Sequence, residues 1–348
     1  MVKLTRREFL RIAGAGLGAL AIEQLASGCQ RLSTPLPATK LPGTSPQPPP
    51  TSTEALQTAS PVDTEAPTES PTASAATGQP DLVVARHGDP EEMVRRALAA
   101  LGGMERFVPQ GSRVVVKPNI CVAYHTYEYA ATTNPWVVGA VVKLALEAGA
   151  RSVRVMDYPF GGTAEEAYTR SGIAEQVQAA GGEMVVMKGF QYVDTEIPQG
   201  KGLHETRIYD EVLNADVLIN VPIAKDHSLA RLTLGMKNLM GVILDRNQIH
   251  MDLGQHLADL NSRVRPQLTV IDAVRILMDH GPTGGNLDDV KQMDTVIASS
   301  DVVATDSYAA TLFGMQAGDL AYVRAATDMG LGRSDIGSLR IEEINVGA

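Results

Sequence analysis

The chain has 348 residues, 44% hydrophobic and 20% charged, with a formal net charge of −10 and two cysteines, Cys29 and Cys121. Two cysteines exclude a disulfide framework and a four-cysteine zinc or iron–sulfur site built from this chain alone. The acidic balance argues against a nucleic-acid partner, because phosphate neutralisation needs clustered Lys and Arg, and against electrostatic adhesion to an anionic membrane.

Length alone suggests two domains, but the charges divide the chain differently. The first 80 residues carry six basic and six acidic groups, so the whole net −10 falls on residues 81–348. At the N-terminus, Thr5-Arg6-Arg7-Glu8-Phe9-Leu10-Arg11 precedes a weakly apolar stretch from Ile12 to Ile22. That stretch is shorter than the roughly 20 residues a membrane span needs. It reads as the apolar region of an export signal, and the paired arginines with Phe-Leu resemble a twin-arginine signal. Such a signal implies export of an already folded protein, for which a cofactor loaded in the cytoplasm is one common reason.

Leu25-Ala26-Ser27-Gly28-Cys29 resembles a lipobox with Cys29 as the lipidated residue, although Ala26 stands where Leu is commonest. Simple cleavage, or retention as an anchor, is the alternative. Residues 31–80 hold eleven prolines and sixteen Ser or Thr, with no apolar periodicity. Such a segment buries too little surface to offset its ordering entropy and is expected to be a disordered tether. The expected organisation is a signal over 1–29, a tether over 30–80 and an α/β domain over 81–348. Its expected place is extracytoplasmic, on the outer face of the cytoplasmic membrane or in the periplasm or cell envelope, held by a lipid on Cys29.

From residue 81 onward short β-branched runs alternate with helical patterns. The predicted strands are Leu82–Ala85, Arg113–Lys117, Val153–Met156, Met184–Met187, Val217–Asn220, Leu268–Ile271, Thr295–Ala298 and Ile341–Val346. The predicted helices are Pro90–Leu101, Pro135–Ala148, Glu165–Ala180, Leu253–Arg263, Val302–Phe313 and Leu320–Met329. Several runs are apolar on both faces, which suits a mostly parallel sheet covered by helices in three layers, an α/β fold.

Open α/β sheets bind ligands at the carboxyl ends of their strands. The residues that follow the apolar runs are Lys117-Pro118-Asn119, Asp157, Lys225-Asp226-His227 and Asp272. Any one of these could simply be a solvated strand end, but four strands deliver them toward one rim. In Leu234-Gly235-Met236-Lys237-Asn238-Leu239-Met240-Gly241, glycines frame a Lys-Asn pair within an apolar segment. A buried lysine is costly unless paired, so Lys237 is expected to meet Asp226, Asp272 or an anionic ligand.

His250 and His256, the latter sharing a helix face with Asp259, could ligate a divalent or iron centre, although the spacing matches no HExxH element. The amides of the turn His280-Gly281-Pro282-Thr283-Gly284-Gly285 could cradle a phosphate or carboxylate through Gly281 and Gly284. The turn lacks the Lys-Ser/Thr of a P-loop. Cys121 has no evident adjacent base and reads as a small buried side chain. Asp301 reads as a helix cap.

The succession Lys117-Pro118-Asn119, Asn220-Val-Pro222, Lys225-Asp226-His227, Gly235-Met236-Lys237-Asn238-Leu239-Met240-Gly241, Val270-Ile-Asp272-Ala and Gly281-Pro282-Thr-Gly284 resembles a bacterial and archaeal family called domain of unknown function 362. The resemblance covers residues 81–348 in order and implies little chemistry. Some relatives carry a cysteine-rich iron–sulfur segment; this chain has none, so an iron–sulfur role would need a redox partner protein or other ligands.

Two readings follow. As an enzyme, the protein would hold a small anionic substrate between Lys117, Asn119, Lys225, Lys237, Asn238 and the Gly281–Gly285 turn. His227 would then be the acid or base, beside Lys225 and Asp226, with Asp157 or Asp272 orienting it or holding a divalent metal. As a non-catalytic binding lipoprotein, the same rim would capture an anionic solute, a metal or a cofactor, as an accessory to an iron–sulfur redox system.

Overall fold

The computed structural model describes residues 78–347; the twin-arginine, lipobox and tether readings lie outside them. The first half contributes strands β1 (Leu82–Arg86), β2 (Arg113–Pro118), β3 (Ser152–Val155), β4 (Glu183–Met184), β5 (Tyr192–Glu196) and β6 (Glu205–Tyr209). The second half contributes β7 (Val217–Val221), β8 (Ile223–His227), β9 (Arg231–Thr233), β10 (Leu268–Leu277), β11 (Val290–Ser299) and β12 (Ile341–Asn345).

The helices are α1 (Pro90–Ala100), α2 (Pro135–Glu147), α3 (Ala164–Arg170), α4 (Ile173–Ala179), α5 (Asp210–Leu213), α6 (Gly235–Asn238), α7 (Asn247–Met251), α8 (Leu253–Arg263), α9 (Val302–Ala310) and α10 (Ala321–Asp328). Local chemistry starts several of them. Asp89 and Asn134 accept the Glu91 and Trp136 amides ahead of Pro90 and Pro135, while Asp252 and Asp301 accept those of Gln255 and Ala304. Each cap satisfies an amide that has no partner inside its helix.

One sheet runs β12-β1-β11-β10-β7-β2-β3-β4, with β8 continuing beside β10 and β9 paired to β8. Its pairings are parallel except those of β11 with β1 and β10 and of β8 with β9. Successive strand residues alternate between two cores, as the strand period requires. Leu82, Val84, Val115, Leu218 and Ile297 pack on one face with α8, α9 and α10. Val83, Ala85, Val114, Val116, Val217 and Val296 pack on the other with α1, α2 and α4. This is the three-layer, mostly parallel α/β architecture that the two-faced apolar runs predicted.

The predicted helix over Glu165–Ala180 is two helices, because Gly172, with φ 78°, turns the chain between α3 and α4. Predicted strand Met184–Met187 keeps only Glu183–Met184 in the sheet. The β5–β6 ribbon and the β8–β9 pair are additional.

The chain moves outward from β2 through β3 to β4, then returns to place β7 on the other side of β2, with Lys117 opposite Asn220. The strand order therefore reverses between β2 and β7, and a crevice forms at such a switch point beyond the carboxyl ends of the strands.

Candidate functional site

That crevice holds a cavity of about 390 Å³, within the size range of small-molecule sites. Lys117, Lys225, Lys237 and Arg246 line it against a single carboxylate, Asp157, with His227, His250, Asn119, Asn238, Thr233 and Cys121. Ile120, Tyr158, Phe160 and Met240 supply its apolar surface.

Asn238, at the end of α6, is the hub. Its Oδ1 accepts from Lys117 Nζ and Asn119 Nδ2, each at 2.9 Å, and its Nδ2 donates to Asn220 Oδ1 at 2.8 Å and the Lys117 carbonyl at 3.2 Å. With all of its polar atoms engaged, the side chain ties α6 to β2 and β7. The start of α6 is held by Asp306, whose carboxylate accepts the Gly235 and Met236 amides at 2.7 and 2.9 Å. Gly235 is required there, because a Cβ would stand 2.7 Å from Asp306 Oδ1.

The three lysines differ in how they are satisfied. Lys117 Nζ donates to Asn238 and the Pro118 carbonyl and pairs with Asp157 Oδ1 at 2.9 Å. Burial still pushes it down to about 8, against the pull of Asp157. Lys225 Nζ also makes three bonds, to Asn119 Oδ1 at 3.0 Å, the Ala131 carbonyl at 2.5 Å and the Pro282 carbonyl at 2.9 Å. Burial lowers it as well.

Lys237, only 6% exposed, has a single contact for its Nζ among the described residues: Met240 Sδ at 3.5 Å. Neither Asp226 nor Asp272 pairs with it, contrary to the sequence expectation. Burial, reinforced by Lys225 and Arg246, brings it down to about 7.

Asp157 is fixed by more than Lys117, accepting the Ile120 amide at 2.6 Å and the Tyr158 amide at 2.8 Å. Arg246 donates to the Tyr158 carbonyl and lies 4.8 Å from the centre of that ring, leaving a buried Nε without a partner. Nothing in the sequence singled out Arg246. The glycine frame around Lys237 did mark Gly241, where a Cβ would stand 2.2 Å from Asp157 Oδ1 and 2.6 Å from Lys117 Nζ.

His227 Nδ1 accepts the Leu229 and Ala230 amides at 3.1 and 3.2 Å. The neutral ring therefore carries its proton on Nε2. Burial and the facing Lys237 and Lys225 push it down to about 3, so near neutral pH it is uncharged. This geometry favours a hydrogen-bond donor over the proton-exchanging role expected from sequence.

Other expected residues lie off the cavity. Asp272 is buried, its oxygens accepting the Asn134 and Val274 amides at 2.7 and 3.0 Å, and burial raises it to about 6. Asp226 accepts the Gly281 amide at 2.8 Å; Gly281 fits because a Cβ would stand 1.8 Å from the Asp226 carbonyl oxygen. That amide is thus taken by the protein itself. In this turn the cavity meets Pro282 and not Gly284.

His250 lines the cavity, whereas the His256 Nδ1 sits 2.7 Å from the Gln248 carbonyl. Asp259 accepts the amides of Lys201, Gly202 and Leu203. The histidines are thus not assembled into a ligand set: among the described residues no group of three or more His, Cys, Asp or Glu is placed to hold a metal ion. Cys121 is buried at the cavity wall, and burial raises its thiol.

Fold and site together define an α/β protein with a cationic cavity at the switch point of a mostly parallel sheet. The chain belongs to the family described as domain of unknown function (DUF362), which matches residues 114–311 and so includes every residue lining the cavity. It is 28% identical over 247 residues to a thylakoid-associated protein of Synechocystis sp., covering 68% of this chain and 74% of that one.

Among solved structures it is similar to a lactate racemase apoprotein from Thermoanaerobacterium thermosaccharolyticum, at 12% identity and a TM-score of 0.40, covering 61% of this chain and 53% of that one. A protein of Thermotoga maritima is similar at 12% identity and a TM-score of 0.39, with 65% and 60% covered. The chain thus spans less than two thirds of either solved neighbour.

Proposed function

We propose that this protein binds a small organic anion in the cavity between β2, β3 and β8. The observation that carries the reading is the excess of four basic side chains over one carboxylate in a largely buried site, with Lys237 lacking any oxygen partner among the described residues. An anion there gives Lys237 Nζ an acceptor, meets the Arg246 guanidinium that lines the cavity, and receives a hydrogen bond from His227 Nε2. The apolar walls of Ile120, Phe160 and Met240 suit a carbon skeleton rather than a bare inorganic ion. The acidic surface focuses anions only locally, which favours a small ligand over a macromolecule.

The test is calorimetric titration of the full chain with inorganic phosphate and a panel of mono- and dicarboxylates, beside Lys237→Met and Arg246→Ala. At least one carboxylate is expected to bind in a salt-dependent way and to lose most of its affinity in both variants. Equal binding by the variants, or no binding by any anion, refutes the reading.

The same reading includes an exported, lipid-anchored protein. Its support is the Arg6-Arg7 pair, the Leu25–Cys29 segment and the thylakoid association named for the cyanobacterial relative. No helix among the described residues is long and apolar enough to cross a membrane. Cys29→Ser should move the protein from the membrane fraction to the soluble one; a variant that stays with membranes refutes the lipid anchor.

A further inference from the structure

The geometry points to Lys237 as a nucleophilic amine that condenses with the carbonyl of a small oxo acid, forming an imine at Nζ. This inference rests on the anion-binding reading and names its substrate class. Three lysines face one cavity, and two of them, Lys117 and Lys225, fill all three N–H positions with oxygen acceptors.

Such saturation holds a proton in place and anchors loops. Among the described residues Lys237 makes none of those bonds, its Nζ meeting the Met240 thioether, and it stands among like charges from Lys225, Arg246 and Lys117. Desolvation and neighbouring cations are the two influences that keep a lysine amine uncharged and nucleophilic. Its position is rigid, because Asp306 holds the amides ahead of it and Asn238 beside it is fully bonded.

The rest of the cavity suits an oxo acid. Arg246, at the cavity wall, offers a guanidinium for the carboxylate. The Nε2–H of His227 donates to the carbonyl oxygen without removing a proton from the amine. The Nζ lone pair attacks the carbonyl carbon, and a C–N bond forms as the C=O bond breaks. The oxygen leaves as water with both amine hydrogens, and a proton from solvent yields the iminium. No oxidant or reductant is consumed.

The test is reductive trapping on the full-length protein. It is incubated at neutral pH with pyruvate, 2-oxoglutarate or acetoacetate and sodium cyanoborohydride, then analysed by intact mass and peptide mapping. The expected result is one adduct on Lys237 with at least one oxo acid, none with lactate, and none on that peptide in Lys237→Arg, which keeps a cation but cannot form the imine. Adducts spread evenly over surface lysines, or none on Lys237, overturn the inference.

Titration of the same sample with lactate and dicarboxylates separates the two levels. Anion binding without trapping sinks the imine and leaves the anion site, whereas absence of both sinks both. If Lys237→Arg does not fold, the pH dependence of trapping in the native chain decides. Facing Lys117, Lys225, Arg246, His227, His250 and Cys121, Lys237 is expected to react with a midpoint near 7. A midpoint near the ordinary lysine value of 10.5 overturns the inference.

Discussion

Replacing Lys237 by Met keeps the length and packing of the stem while removing the charge, and the structure sets the sign of the outcome. Lys237 is 6% exposed and titrates near 7 in the folded protein against 10.5 in an exposed chain. At about 1.4 kcal/mol per pH unit, that gap corresponds to a folding penalty on the order of 5 kcal/mol at pH 6. The unfolded chain holds the proton up to pH 10.5 and the folded one only to about 7, so this group makes native stability rise with pH between those values. Lys237→Met should therefore be more stable than the native protein near pH 6, by up to about 5 kcal/mol, with the gap closing toward pH 10. Urea denaturation at a series of pH values between 6 and 10 measures this. A variant equal to or less stable than the native chain at pH 6, or a gap that does not change with pH, refutes the reasoning. Gained stability with lost anion binding is the expected signature of a functional group held at a cost to the fold.

Two further perturbations probe the support of the site. Gly241→Ala places a methyl group against both Asp157 Oδ1 and Lys117 Nζ; breaking that buried pair should cost roughly 3 to 5 kcal/mol and abolish anion binding. An unchanged urea midpoint would show that the pair yields without loss. Asp306, raised to about 7 by burial, accepts two amides, and a raised acid loses its contribution to stability as pH climbs from about 4 through 7. Asp306→Asn should flatten that fall in a denaturation series from pH 4 to 8, and an unaltered acid-side slope would assign it to Asp272 or another group.

The end of β2 was legible because a sharp change in chemistry marks it, Val114–Val116 giving way to Lys117-Pro118-Asn119, whereas Lys225, Asp226 and His227, expected after a strand, lie within β8, a second strand that follows β7 directly. Parallel strands are apolar throughout, so the first polar residue stands out and falls at the carboxyl end, where ligands bind. Arg246 was not legible, since it reaches the cavity only because the loop after Gly241 folds back onto Tyr158, a contact without local periodicity. Asp226 and Asp272 resembled reactive carboxylates because the apolar runs before them looked like complete strands; both lie inside longer strands, β8 and β10, and their side chains accept buried amides. The long pairing of β10 with β11 was half hidden, because Val290–Asp294 is too polar to look like a strand once its apolar partner is out of view.

Lys225 and Lys237 share a cavity, a side-chain type and a downward push from burial, so burial alone predicts that replacing either by Met has the same sign. The hydrogen bonds predict opposite signs. Lys225 Nζ holds Asn119, the Ala131 carbonyl and the Pro282 carbonyl, which belong to three separate stretches of chain. Lys225→Met leaves three acceptors without a donor, each costing about 1 to 3 kcal/mol where water cannot reach. That sum exceeds the relief from removing one desolvated ammonium, so Lys225→Met should lower the urea midpoint at pH 6 while Lys237→Met raises it. Two midpoints moving in the same direction would mean that cavity charge, rather than the pattern of acceptors, governs both positions. Opposite movement would leave Lys237 as the lysine that the fold positions without satisfying, as the binding of an external partner requires.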